Sequence, residues 1–422
     1  MLSTPGKLTT RAPSGPRFEL SRRWLLAALA LVPCCTAAAA PGSGPQTASP
    51  AAPFVHHVAV FGSDERRPLP SSHRALEASI GLLYERRSHS VCTAFCVDDA
   101  IVATAGHCIY RTSGERAPTP AGFTFRLPGK PAKTATRIAG ASTGAAPQNI
   151  ASGSTHLSVQ PPIDAAHDWA LVRLSAPVCK GARLSISRRA SKELVKLSAA
   201  QRIYQVAFHR DFGNWQLAFA SPCAVRRGFA NADWAAISHD FTDPADVILH
   251  TCDTGGASSG SPLLIDGPSG PEVVGINVGT YVQSKVLLQN GEVVHRYQSD
   301  SVANTGVASA AFLPPLEAFA RAEIVGSRAQ VRELQELLAE RGFYKGTRDG
   351  AFGPILRAAI EKFEQSEGRP ETGLATTALL QRLTVMRAGL KTKTASDRPP
   401  QVETGKVGSH EPSKGSGSLP LR

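Results

Sequence analysis

Three short strings hold the residues of this chain best suited to chemistry: TAGHC at Thr104–Cys108, HDWALVRL at His167–Leu174 and ASSGSPLL at Ala257–Leu264. They supply His107, Asp168 and Ser259. A serine hydroxyl is protonated at neutral pH and attacks poorly until a base removes its proton. His107 is suited to take that proton during attack on a peptide carbonyl and to return it to the leaving amine, while Asp168 would fix the imidazole tautomer and balance the imidazolium. The negative oxygen that develops needs backbone N–H donors already aimed at it, and the tight turn around the serine offers those of Ala257 and Ser259. Ala257 is the weak point of this reading. If the turn needs a positive φ there, the methyl group costs about 1 kcal/mol and threatens to turn the N–H aside.

Elements must hold these groups. The apolar run Trp169–Leu174 reads as a strand that would bury the Asp168 carboxylate. From about Phe61 to Phe319, short apolar runs such as SIGLLY, AIVATA, YQVAF, SPLLI and EVVGINVG alternate with Gly, Pro, Asp and Ser clusters, and no long amphipathic helix interrupts them. That pattern predicts an all-β domain over residues 61–320. At Ser327 the period changes to helical: Val331, Leu334, Leu337 and Leu338 share a face, and Ser327 with Gln330 forms a capping-box pattern. A glycine-punctuated loop at Gly342–Pro354, a second helix with Ala359, Ile360 and Phe363, and a third short one with Leu379, Leu380 and Leu383 complete a separate all-α unit over 327–384. Residues 387–422 carry Lys, Pro, Ser and Gly with almost no large apolar groups, so a disordered basic tail is predicted.

The net charge of +12 over 422 residues suggests nucleic-acid binding until it is located. Residues 1–40 carry five Lys/Arg against one Glu, and 387–422 carry seven against three acids, so the middle of the chain is only mildly basic. No nucleic-acid partner is expected. Arg22-Arg23 followed by an apolar run to Val32 and small residues through Ala40 resembles a twin-arginine export signal with cleavage near Ala37–Ala39. A general secretory signal that happens to hold two arginines is the alternative. The apolar run stops at Pro33, short of the roughly 20 residues that a spanning helix needs, so no stable membrane span is expected after removal of the signal. Residues 41–60 are a Pro/Ala/Ser-rich spacer or pro-segment. Six cysteines then remain, Cys92, Cys96, Cys108, Cys179, Cys223 and Cys252, an even set that in an exported chain predicts disulfides rather than a metal site. No spacing suits zinc, and no metal or cofactor is expected.

The order His107, Asp168, Ser259, the string HTCDTGGASSGSPLL and FGSDERRPLP upstream together resemble the chymotrypsin-like serine proteases, in particular the bacterial branch with the staphylococcal glutamyl endopeptidases. The resemblance covers roughly residues 61–320. It implies a pair of six-stranded antiparallel barrels with the cleft between them, His107 and Asp168 from the first and Ser259 from the second. It also implies a Cys92–Cys108 bridge behind the histidine. Cys223–Cys252 would bracket the strands that lead to the serine, and Cys96 and Cys179 remain for each other, a pairing left open. The resemblance implies that Gly275–Gly279 is the strand on which a substrate backbone pairs. Asn277 stands where the glutamate-specific relatives place a histidine, which argues against acid specificity. Asp253, six residues before Ser259, is either a basic-residue selector as in trypsin-like enzymes or a structural turn residue beside Cys252. Ser258 cannot receive an inserted N-terminal ammonium as an aspartate would.

Residues 328–383 resemble the small three-helix peptidoglycan-binding module of bacterial wall enzymes, with exposed Tyr344, Lys345 and Arg348 as candidate glycan contacts; a purely structural or autoinhibitory domain packed on the protease is the alternative role. Together the two resemblances imply an exported serine endopeptidase, periplasmic or secreted, acting on proteins or peptides and held at the cell wall. Two alternatives stand beside it: a catalytically silent wall-binding protein, and a hydrolase of peptidoglycan stem peptides.

Overall fold

The computed structural model describes residues 59–110, 117–131, 134–200, 202–229, 232–289 and 292–396, all within one compact unit, Val55–Arg422. The expected export signal and almost all of the spacer lie outside the described residues.

After a short strand β1 (Arg67–Pro68), seven strands form one antiparallel sheet: β2 (Ile80–Glu85), β3 (Ser90–Asp98), β4 (Ile101–Thr104), β5 (Phe123–Arg126), β6 (Thr136–Arg137), β7 (Ile150–Ser152) and β8 (Ala170–Arg173). Their order across the sheet is β6-β5-β2-β3-β4-β8-β7. The second sheet takes β9 (Ser185–Ile186), β10 (Ile203–Phe208), β11 (Leu217–Cys223), β14 (Val247–His250), β15 (Pro262–Gly267), β16 (Gly270–Gln289) and β17 (Glu292–Ala308), together with β1. The remaining strands, β12 (Gly228–Phe229) and β13 (Ala232–Asp233), pair only with each other. The architecture is two antiparallel half-barrels, with short edge strands added beyond six in each sheet. One such addition, β9, pairs parallel to β16.

The apolar runs are nearly continuous because these strands are buried on both faces. In β4, Ile101 and Ala103 face the core between the sheets, while Val102 faces the interior of the first half-barrel; in β8, Leu171 faces the former and Ala170 and Val172 the latter. In β15, Leu264 joins the shared core and Leu263 and Ile265 fill the second half-barrel. A period of two with no polar face is the pattern of a strand packed on both sides.

Helices α1 (Gly106–Tyr110), α2 (Ser191–Ala199), α3 (Trp234–Ser238) and α4 (Ser309–Arg321) lie among or after the strands. The last of these closes the β domain with buried Phe312, Leu316 and Phe319. Beyond it α5 (Arg328–Glu340), α6 (Pro354–Ser366) and α7 (Thr377–Ser396) surround a core of Val331, Leu334, Leu338, Ile360, Phe363 and Leu383. The Ser327 hydroxyl and the Gln330 side chain form the reciprocal capping box at the start of α5. The third helix is not short. It runs to Ser396, well past Arg387, because Ala388, Leu390 and Lys391 favour helix and no proline intervenes before Pro399. This corrects the disordered tail expected from 387; residues 397–422 lie outside the described residues.

The helical unit is also less separate than its sequence suggests. Leu374, in the turn before α7, belongs to the same buried cluster as Ala151, Trp169, Phe312 and Leu316 of the β domain. The connecting segment pairs back on the module, with Val325 N donating to Ala375 O and Thr377 N to Glu323 O, both at 2.9 Å.

Candidate active site

His107 sits in α1, which follows directly from β4. Both oxygens of Asp168 are spent on it: Oδ2 lies 2.7 Å from the imidazole Nδ1, and Oδ1 accepts from the His107 backbone N–H at 2.8 Å. The carboxylate is held because Asp168 immediately precedes β8, which pairs with β4 up to Thr104↔Ala170. A Cβ on Gly106 would fall 3.2 Å from Asp168 Oδ1, so a glycine lets the two loops close. The side chain of Asp168 is 12% exposed and that of His107 32%, a sheltered anion under an accessible ring. The bridge Cys92–Cys108 fastens the turn after His107 to β3. Cys96–Cys179 and Cys223–Cys252 are the other two disulfides. Among the described residues, Cys92, His107 and Cys108 form the one cluster with metal-ligand types. Both of its sulfurs are bonded to each other, so it offers no thiolate.

The Ser259 loop comes from the other sheet and is fixed against β3, the strand that the Cys92–Cys108 bridge joins to the turn after His107. Thr93 of β3 donates from its N–H to Ser259 O and from its hydroxyl to Ala257 O, each at 2.9 Å. The Thr104 hydroxyl in turn donates to Thr93 O at 2.8 Å. Gly260 has φ +83°, and a Cβ there would lie 2.1 Å from Thr104 Oγ1. Only glycine permits that approach. Ala257 has φ +81°, the left-handed region that its methyl group disfavours. The N–H groups of Ala257 and Ser259 nonetheless donate to no other group among the described residues. Two adjacent unspent donors beside a half-buried serine are what a developing oxyanion requires.

The loop rests on a layer that sequence reading missed. Asn277 is 2% exposed, and its Nδ2 donates to Ser258 O at 3.2 Å while its Oδ1 accepts from His250 Nε2 at 3.1 Å. His250 Nδ1 accepts from Cys252 N, which fixes a neutral ring. Complete burial pushes its pKa down to about 4, against hydrogen bonds to Asn277 and Thr305 that act the other way. Asn277 therefore supports the Ser259 loop from beneath and is buried away from the cleft surface, at odds with its expected role in substrate binding. No local pattern announces this, because His250 and Asn277 meet only through β14 and β17, which align β16.

Asp253 is likewise engaged within the protein itself. Its Oδ1 accepts from Phe61 N at 3.0 Å and its Oδ2 from Glu65 N at 2.8 Å, so the chain's own N-terminal segment consumes both oxygens. Of its two sequence readings, the geometry matches the structural one. Arg66 continues this clamp with hydrogen bonds to Asp64 and Asp211. The expected substrate strand is also shortened. Gly275 and Ile276 pair with β15 and β17 at once, and the Asn277 backbone is bonded to Ser261 and Gly260. The edge begins at Val278. Gly279 and Thr280 do line the cleft, which has a volume of about 450 Å³ and also takes in His107, Asp168, Leu157 and Tyr281.

In the helical module, Tyr344 is buried, its hydroxyl donating to Thr347 O and accepting from Gln335, which corrects its expected exposure as a glycan contact. Lys345 and Arg348 are exposed.

Residues 92–276 match the family model described as "Trypsin-like peptidase domain", and residues 327–383 match that described as "Putative peptidoglycan binding domain". A solved structure of a Glu endopeptidase in complex with MPD aligns at a TM-score of 0.41 and 15% identity, covering 62% of this chain and 99% of that one. A 59-residue stretch is 37% identical to the Localization factor PodJL of Caulobacter vibrioides in two strains, covering 14% of this chain. The chain spans only 6% of the length of those curated relatives. The β domain is thus a trypsin-like peptidase domain. The chain as a whole joins it to a C-terminal peptidoglycan-binding domain, and among the described residues no helix is long and apolar enough to cross a membrane.

Proposed function

We propose that the protein is an exported serine endopeptidase that hydrolyses peptide bonds through an acyl-enzyme and works at the cell wall. The observation that carries this reading is the double engagement of His107 by Asp168, at 2.7 and 2.8 Å, with the Ser259 loop tied to β3, the strand bridged by Cys92–Cys108 to the turn after His107. With Nδ1–H held by the carboxylate, Nε2 acts as the base. It takes the Ser259 proton as Oγ attacks the scissile carbonyl, and the tetrahedral oxygen is met by the N–H groups of Ala257 and Ser259. The imidazolium then protonates the leaving amine, and water repeats the sequence to release the acid. Three disulfides and the C-terminal domain support a place outside the reducing cytoplasm. The C-terminal domain would raise the local concentration of peptidase at the wall.

The test is covalent. An organofluorophosphonate added to residues 41–422 should leave one adduct by intact mass on the wild type and none on Ser259→Ala. A silent wall-binding protein, the reading that strain at Ala257 favours, predicts no adduct on either. Casein and purified sacculi then separate a general endopeptidase from a hydrolase of peptidoglycan stem peptides.

A further inference from the structure

Beside the apolar insertion of Leu374, the C-terminal module reaches the catalytic half of the peptidase through a guanidinium. Arg357, in the first turns of α6, donates from Nη1 to Ser152 Oγ at 2.7 Å and from Nη2 to Ser152 O. Its Nε is paired with Glu361 at 3.0 Å and its side chain is 14% exposed. Its stem lies on Gly373, where a Cβ would come within 2.7 Å of Arg357 Cγ and of Glu361 Oε1. The turn that carries Gly373 is held by Glu364, which accepts from the N–H groups of Thr372 and Gly373. The module is therefore built to present this guanidinium in one place.

Ser152 is a junction. It ends β7 opposite Ala170 of β8, and the next residue, Gly153, donates to Trp169 O at 3.1 Å and approaches His167 so closely that a Cβ would fall 2.4 Å from its carbonyl oxygen. The backbone on either side of Asp168 is thus gripped by residues 152–153. Tyr110, the last residue of the helix that carries His107, lies within electrostatic reach of Ser152 and Arg357: burial raises its pKa, and the Arg357 charge and the Ser152 hydroxyl oppose that rise. One arginine of the module consequently touches the residue on which both the His107 helix and the Asp168 strand converge.

We infer that Arg357 is a positioning residue of the peptidase: the C-terminal module, through the Arg357–Ser152 contact, holds the His107–Asp168 pair in register, so that the module is a working part of the enzyme as well as a wall anchor. This rests on the proposed function for its consequence, though not for its geometry. Arg357 touches no substrate, and its loss should loosen the base without changing what the cleft binds. A displacement of catalytic groups by a fraction of an ångström lowers turnover far more than it lowers affinity.

The experiment uses the full chain from residue 41, as wild type, Arg357→Ala, Arg357→Lys and, as a control for loss of an exposed ion pair elsewhere, Arg188→Ala. Arg357→Ala should lower kcat on a quenched fluorescent peptide by about tenfold with KM within about twofold, and should slow fluorophosphonate labelling by the same factor. Arg357→Lys should recover part of both, and Arg188→Ala should match the wild type. Arg357→Ala within twofold of wild type in both assays overturns the inference, as does an equal loss in Arg188→Ala. If the wild type neither cleaves nor labels, the peptidase reading fails and the positioning claim is read by proton NMR. A low-field His107 Nδ1–H resonance that is lost in Arg357→Ala and kept in Arg188→Ala upholds it; one unchanged in Arg357→Ala sinks it.

Discussion

Ala257 holds a left-handed conformation that a glycine would adopt freely, and both N–H groups of the turn are nevertheless unspent. The methyl group therefore costs stability while both N–H groups remain unspent among the described residues. Ala257→Gly should raise the urea midpoint by an amount equivalent to about 0.5–1 kcal/mol, the left-handed strain relieved less the backbone entropy that glycine adds. Its fluorophosphonate labelling rate should stay within about twofold of wild type. A lower midpoint would mean that the buried methyl packs better than its backbone is strained. Residue types were legible from sequence where chemistry is local: His107, Asp168 and Ser259 each lie in a short string whose neighbours shape it. Roles that depend on a distant partner were not. Asp253 points at Phe61 and Glu65, about 190 residues upstream, and no spacing around Cys252 reveals which way its carboxylate turns.

Elements explain the other misreadings. The strands were visible as apolar runs, but an even apolar pattern does not say which core each side chain enters; that is settled by the sheets between which β4, β8 and β15 are packed. β14 ends at His250, and its pairing with β17 (His250↔Asn304) drives the imidazole under the nucleophile loop, where it stays neutral. The pH consequence follows from its two states. Unfolded, the ring titrates near 6.5; folded, burial holds it near 4. Above pH 6.5 neither state takes the proton, and stability is unaffected. Between pH 6.5 and 4 the unfolded chain binds a proton that the folded one refuses, so stability falls by roughly 1.4 kcal/mol per pH unit and levels off below 4. His209, buried beside Arg66 with its pKa also near 4, adds a slope of the same sign. Denaturant midpoints measured across this window should fall steeply in the wild type and about half as steeply in His250→Gln, whose amide can still donate to Asn277. An unchanged slope would mean that His250 is charged or hydrated in the folded protein.

At the scale of the whole molecule, the sequence divides at Ser327 but the packing does not. Leu374 is 5% exposed and inserts from the module into the core that also holds Trp169, the residue after Asp168. Arg173, at the end of β8, donates to Phe319 O and Ala322 O and stands 4.7 Å from the Phe319 ring, so α4 and the connecting segment are fastened to the strand that begins beside Asp168. A tether of this kind transmits strain, unlike a flexible linker, which would only set a local concentration. Leu374→Ala should accordingly destabilise the entire unit by about 2–5 kcal/mol, the range for emptying a buried leucine site. It should do so in one cooperative transition, with near-ultraviolet signals from the peptidase tryptophans and far-ultraviolet helical signals from the module melting together. Two transitions, with the tryptophan signal unmoved by the substitution, would instead describe a peptidase and a wall-binding domain that merely share a chain, and the path from Arg357 to His107 would then have no rigid body through which to act.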